Sequence, residues 1–139
     1  MILKNKIIGV WSLVSYQIGD DNGKINYPLG EDATGYIIYH PEGYMSAQIM
    51  HQGIPPYASG DIHRGTTEEM AMAAAGYLAY SGKFEVDEET STVIHKMEVC
   101  MNPNWLGQKQ PRVDSIEGDS LNIYNGLNPN QRVVWKRVK

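Results

Sequence analysis

Four side chains with chemistry of their own, Tyr36, Tyr80, His95 and Arg112, fall on strand-like runs where alternation turns them toward a shared interior. A histidine beside a tyrosine can serve as a general acid or base near neutral pH, and Arg112 can hold a carboxylate or an enolate. Met45 and Met97 supply apolar wall around them, while Ser15 and Gln17 share parity with Trp11 on the first strand and extend the polar set. An apolar wall with a few convergent polar groups is the pattern of a small-molecule site. The same residues carry a plainer reading, because a single histidine on an apolar strand face also serves as a core residue bonded to a tyrosine. Trp105 sits in the loop Asn102-Pro103-Asn104-Trp105-Leu106-Gly107 and either stacks over a planar ligand or packs on a neighbouring helix against Met70 or Tyr77.

Other chemistries find no support in the spacing. His40, His51, His63 and Asp61 match no metal-ligand signature, so no metal is expected. Glu68-Glu69 belongs to a helix start and Glu88-Glu89 to a turn, which leaves no carboxylate pair for hydrolysis. There is no phosphate loop, nucleophile elbow or dinucleotide fingerprint, and no cofactor is expected. Cys100 is the one cysteine, which excludes an internal disulfide and leaves a thiol that packs as a small hydrophobe. A net charge of −4 without a basic stripe argues against a nucleic-acid partner. No apolar run reaches membrane-spanning length and no leader is evident, so the expectation is a cytoplasmic protein without a membrane partner.

These side chains need elements to position them. The 139 residues suit one domain. Turn signals at short intervals separate runs that favour strands, at about 8–18, 34–40, 43–50, 78–86, 91–101, 111–117, 120–125 and 131–138, with a short one near 25–27. About eight antiparallel strands in sequence close an up-and-down β-barrel of ligand-holding size. The longer connectors (19–33, 51–77, 102–110 and 126–130) then fall at one end, a mouth, and the tight turns at the other, a floor. Gly9-Val10-Trp11 opens the first strand and Trp135-Lys136-Arg137 closes the last, so Gly9, Trp11, Trp135 and Arg137 belong to the floor, with Arg137 stacking on an indole.

Parity on the strand at 91–101 groups Val93, His95, Met97, Val99 and Met101, and on 78–86 it groups Leu78, Tyr80, Phe84 and Val86. In the 34–50 hairpin, Tyr36, Ile38, Met45, Ala47 and Ile49 form the more apolar set. Thr66-Thr67-Glu68-Glu69 is a capping box followed by Met70, Ala73, Ala74 and Tyr77, which predicts a short helix ending near Gly76, at the mouth, as lid or plug. Nine tyrosines against one phenylalanine suit either a wet cavity lining or strand surface.

Taken together and in order, 9–16, Tyr27-Pro28-Leu29-Gly30, 35–47, Tyr80-Ser81-Gly82, Val93-Ile94-His95, Pro103-Asn104-Trp105-Leu106-Gly107, Gln110-Pro111-Arg112 and Trp135-Lys136-Arg137 resemble the lipocalin-like domain family of bacteria and fungi. The resemblance spans nearly the whole chain and implies a calycin-type barrel with a central cavity. It implies little about activity, since such barrels serve mainly as carriers with a few enzymes among their relatives. Three functions follow as expectations: a binder of a small, largely apolar or aromatic molecule held by Tyr36, Met45, Tyr80, His95, Met97, Trp105 and Arg112; an isomerase or cyclase using the cavity groups His95, Tyr80 and Arg112 for proton transfer, with His95 and Tyr80 the catalytic candidates; or a filled barrel that forms a homodimer.

Overall fold

Strict alternation of buried and exposed residues, as in Tyr80, Gly82 and Phe84 against Lys83 and Glu85, makes this chain a sheet with one dry face. The computed structural model describes residues 2–139 apart from the Pro129 side chain; Met1 lies outside the described residues. The elements are α1 (Leu3–Ile7), β1 (Gly9–Gly19), β2 (Ile25–Asn26), β3 (Thr34–Tyr39), β4 (Tyr44–Met50), α2 (Thr67–Ala75), β5 (Tyr77–Asp87), β6 (Thr92–Lys96), β7 (Val99–Cys100), β8 (Lys109–Glu117), β9 (Ser120–Asn125) and β10 (Asn128–Arg137). Antiparallel pairing runs β1, β3, β4, β5, β6, β8, β9, β10 and back to β1, which closes an eight-stranded barrel; β2 and β7 are short additions to β1 and β5. Closure removes both sheet edges.

The floor is built by the two chain ends. Arg137 lies over the Trp11 indole at 4.1 Å and donates to the Ile8 carbonyl at 3.1 Å and the Lys6 carbonyl at 2.5 Å. Trp11 in turn donates from Nε1 to the Ile7 carbonyl at 2.9 Å. Gly9 makes this approach possible: its φ is +131°, and an added Cβ would stand 3.0 Å from Arg137 Nη1. The helix α1, with Ile7 fully buried, covers the floor, and Glu88 in the β5–β6 turn caps it by accepting from the Leu3 and Lys4 amides. Nothing in the sequence patterning foretold this helix, which is a single turn and a half without a side-chain cap of its own.

Five expectations, three of them about facing, are corrected. In the β3–β4 hairpin Ile37 pairs with Ala47 and Tyr39 with Met45, so odd-numbered residues share the inner face on both strands. Tyr36 and Ile38 therefore point outward and are 57% and 42% exposed, and Tyr39 takes the inner place. On β1 a bulge between Leu13 and Ser15 leaves Val14 exposed and reverses the parity, so Tyr16, not Ser15 or Gln17, shares the interior with Trp11. The strand expected at 91–101 is two: β6 pairs with β5 beyond Gly82, then the chain breaks and β7 pairs with β5 on the other side of it, turning Val99 and Met101 outward. Gly82 permits the crossover, since a Cβ there would lie 1.9 Å from the Lys96 carbonyl. Finally, α2 begins at the capping box of Thr66 and Glu69 as expected but buries no residue, so it is not a plug. The β9–β10 connection, expected to be long, is a two-residue turn at 126–127.

Candidate functional site

Inside the barrel the buried polar residues come from five strands. Alternation on β8 brings Gln110, Arg112 and Asp114 onto one buried face; β3 supplies Tyr39, β5 Tyr80, β6 His95 and β1 Tyr16. Burying a guanidinium, a carboxyl group and an imidazole in one small interior is costly unless each finds a partner or loses its charge.

His95, fully buried, is held between two tyrosines: Tyr39 Oη lies 2.6 Å from Nε2 and Tyr80 Oη 3.2 Å from Nδ1. Burial, then the Arg112 charge, keeps its pKa well below the usual histidine range, so the ring is neutral. Burial also raises the Tyr39 hydroxyl well above its ordinary value, with Asp114 adding to the effect. Tyr80 and Tyr16 are raised by burial as well, but there Arg112 opposes the shift. Asp114 is raised well above the carboxylate range by burial, against the pull of Arg112, and neither of its oxygens has a hydrogen-bond partner among the described residues. Arg112 donates to Gln110 Oε1 and to the Pro111 carbonyl at 3.2 Å.

A cavity of about 30 Å³ lies toward the mouth, its apolar wall including Ile37, Ala47, Ile49, Leu78 and Trp135 and its polar wall Tyr16, Tyr80, Arg112 and Gln131. That volume holds water but not an organic ring. Directly outside it is a groove of about 360 Å³ lined by Asn102, Pro103 and Asn104. Tyr16, Leu78 and Trp105 border both spaces, and Trp105 meets Tyr80 edge-on with ring centroids 6.0 Å apart.

Of the residues expected to bind a ligand, Tyr80, Trp105 and Arg112 therefore meet at the cavity. His95 is interior but stands behind Tyr80, and Met45 and Met97 are buried without lining the space. Tyr36 is on the outer surface. Trp135, assigned to the floor, reaches the cavity wall. Tyr16, Tyr39, Asp114 and Gln131 were missed. Tyr39 and Asp114 were available from hairpin register and β8 alternation, whereas Tyr16 was hidden by the bulge. His95 is not among the residues that line the cavity, whereas Tyr80, its hydrogen-bond partner, is. His40 and His63 are exposed on separate loops and His51 Nδ1 lies 2.6 Å from the Gln52 carbonyl.

Residues 8–138 match the lipocalin-like domain family. The 4'-hydroxy-3'-methoxypropiophenone carrier protein ppsC of Aspergillus oryzae is 37% identical over 107 residues, which cover 68% of this chain and 96% of that protein. The lipoprotein YedD of Klebsiella pneumoniae superposes with a TM-score of 0.45 at 13% identity, covering 96% of this chain and 72% of its own. Among the described residues no helix is long and apolar enough to cross a membrane.

Proposed function

Because the chain belongs to the lipocalin-like domain family, we propose that it is a carrier that takes a small aromatic molecule into the mouth half of its barrel. The observation that carries this reading is the juxtaposition of an apolar-walled cavity with Tyr16, Tyr80 and Arg112 converging on it, beneath an aromatic side chain that borders the outside. The relative ppsC is named as carrier of a phenolic aryl ketone, a molecule with one flat apolar ring and oxygen groups at its edge. Such a molecule suits a wall of Ile37, Ala47, Ile49 and Leu78 with a polar end at Arg112.

The inner space alone is too small for a ring, so the ligand occupies the cavity and the outer groove together, with Trp105 displaced from between them and stacked on the ring. The carrier has no need of an exposed catalytic base, which agrees with His95 standing behind Tyr80.

Calorimetric titration with 4'-hydroxy-3'-methoxypropiophenone tests this reading. One-to-one binding that is abolished by Ala47→Phe, a change that fills the cavity from its wall, is the expected result. Absence of binding, or binding indifferent to Ala47→Phe in a folded variant, contradicts it.

A further inference from the structure

Three hydrogen-bond chains reach the cavity: two point a hydroxyl proton at it, and the third, running outward from Arg112, leaves guanidinium N–H groups beside it. In the first, Asn125 Nδ2 donates to Gln131 Oε1 at 2.8 Å, which turns the Gln131 amide nitrogen toward Tyr16 Oη, 2.9 Å away. Tyr16 accepts there, and its own hydroxyl proton is left for the cavity it lines.

In the second chain Arg112 Nη2 donates to Gln110 Oε1, Gln110 Nε2 to Gln108 Oε1 at 2.8 Å, and Gln108 Nε2 to the Asn104 carbonyl at 2.9 Å. A guanidinium at one end and a backbone carbonyl at the other permit only this direction. Gln110 and the Pro111 carbonyl engage two of the five N–H groups of a guanidinium, so Arg112 has donors to spare for a ligand.

The third chain is Tyr39, His95 and Tyr80. A neutral imidazole has one N–H, and its place follows from Tyr39, whose buried hydroxyl has no hydrogen-bond partner except His95 Nε2 among the described residues. A proton on Nε2 would strand the proton of Tyr39. Tyr39 therefore donates to Nε2, Nδ1–H donates to Tyr80 Oη, and the Tyr80 hydroxyl donates onward into the cavity. Trp135 adds a fourth donor: its Nε1–H is buried without a partner, and the residue lines the same wall.

We infer that the polar end of the cavity is a donor-only subsite, built to receive the lone pairs of a carbonyl, carboxylate or phenolate oxygen and to reject ligands whose polar group donates. This deepens the carrier reading and rests on it. An oxygen placed there pairs several committed donors at once, and a donor placed there leaves them all unpaired, which is the arrangement that discriminates most strongly between ligands of equal size. The Arg112 charge extends the preference to anions.

The test uses four one-ring probes that differ in a single substituent: acetophenone, benzoate, aniline and toluene. Acetophenone and benzoate are expected to bind at least about tenfold more tightly than aniline and toluene. Tyr80→Phe and Tyr16→Phe should each weaken the two acceptor probes by about three- to tenfold and leave toluene unchanged. Arg112→Met should weaken benzoate more than acetophenone; if that variant does not fold, the two tyrosine variants decide. Equal affinity for all four probes, or tightest binding of aniline, overturns the donor-only subsite and leaves the carrier standing. Binding of none of them overturns both.

Discussion

The Tyr39 hydroxyl lies 2.6 Å from His95 Nε2, joining side chains 56 residues apart on β3 and β6, which β4 and β5 separate in the sheet. Both groups are dry, so each is the other's answer to the cost of burial. Replacing Tyr39 by Phe leaves one imidazole nitrogen unpaired and should destabilise the fold by about 1–3 kcal/mol. Tyr80→Phe, at the cavity end of the chain, should cost less. Urea unfolding midpoints at constant m-value measure both, and a Tyr39→Phe variant as stable as the parent would show that this bond holds nothing.

The pH dependence of stability should carry two opposed signatures. His95 is held neutral, its folded pKa below the ordinary value of about 6.5. As pH falls through that value the unfolded chain takes up a proton that the folded one refuses, so stability declines on the acid side until the folded pKa is reached. His95→Gln should flatten that decline. Asp114 works in reverse: its folded pKa is raised, so above about 3.9 the unfolded chain releases a proton that the folded one keeps, and stability falls as pH rises toward the folded pKa. Asp114→Asn should remove that fall. Melting temperatures across pH 4 to 8, read for each variant against the parent, separate the two groups; slopes unchanged by either substitution would contradict the assignment.

At the floor, Arg137→Lys loses the planar stack on Trp11 and the fork that reaches two carbonyls. A loss of about 2 kcal/mol is expected, with ligand affinity unchanged because the cavity lies at the other end. Thermal unfolding and a binding titration on the same variant check this, and a drop in affinity without a drop in stability would contradict it.

The barrel and its polarity were legible because they follow from local rules: alternation gives strands, turn chemistry gives connectors, and the order of long and short connectors gives a mouth and a floor. Arg112 and Tyr80 could be placed near the interior because β5 and β8 run without interruption through them. Facing failed where a single residue breaks the count. The bulge at Val14 exchanges Ser15 for Tyr16, and the crossover at Gly82 ends the inward series of β6 before Val99. The Tyr36 error is of another kind: in this hairpin's register odd-numbered residues pair with odd-numbered ones, whereas apolar content alone chose Tyr36 over Tyr39. The volume of the cavity, set by how side chains from eight strands interlock, has no sequence signature.

Trp105 separates the inner cavity from the outer groove, so its removal should open the barrel without dismantling it. In stopped-flow measurements with acetophenone, Trp105→Ala is expected to speed association and dissociation together, with Kd changed by less than about tenfold. Slower association would show that Trp105 guides the ligand in and does not bar it.

The most direct test of ligand entry uses the three tryptophans as reporters, since each indole N–H occupies a different place. Trp105 borders the mouth, Trp135 lines the cavity wall and its buried N–H has no hydrogen-bond partner among the described residues, and Trp11 is bonded to the Ile7 carbonyl at the floor. In a two-dimensional nitrogen–proton NMR titration with acetophenone, the Trp105 and Trp135 signals should move saturably and together while Trp11 stays in place. No movement at any signal up to the solubility of the probe, or shifts confined to outward residues such as Tyr36, would contradict a ligand held in the barrel.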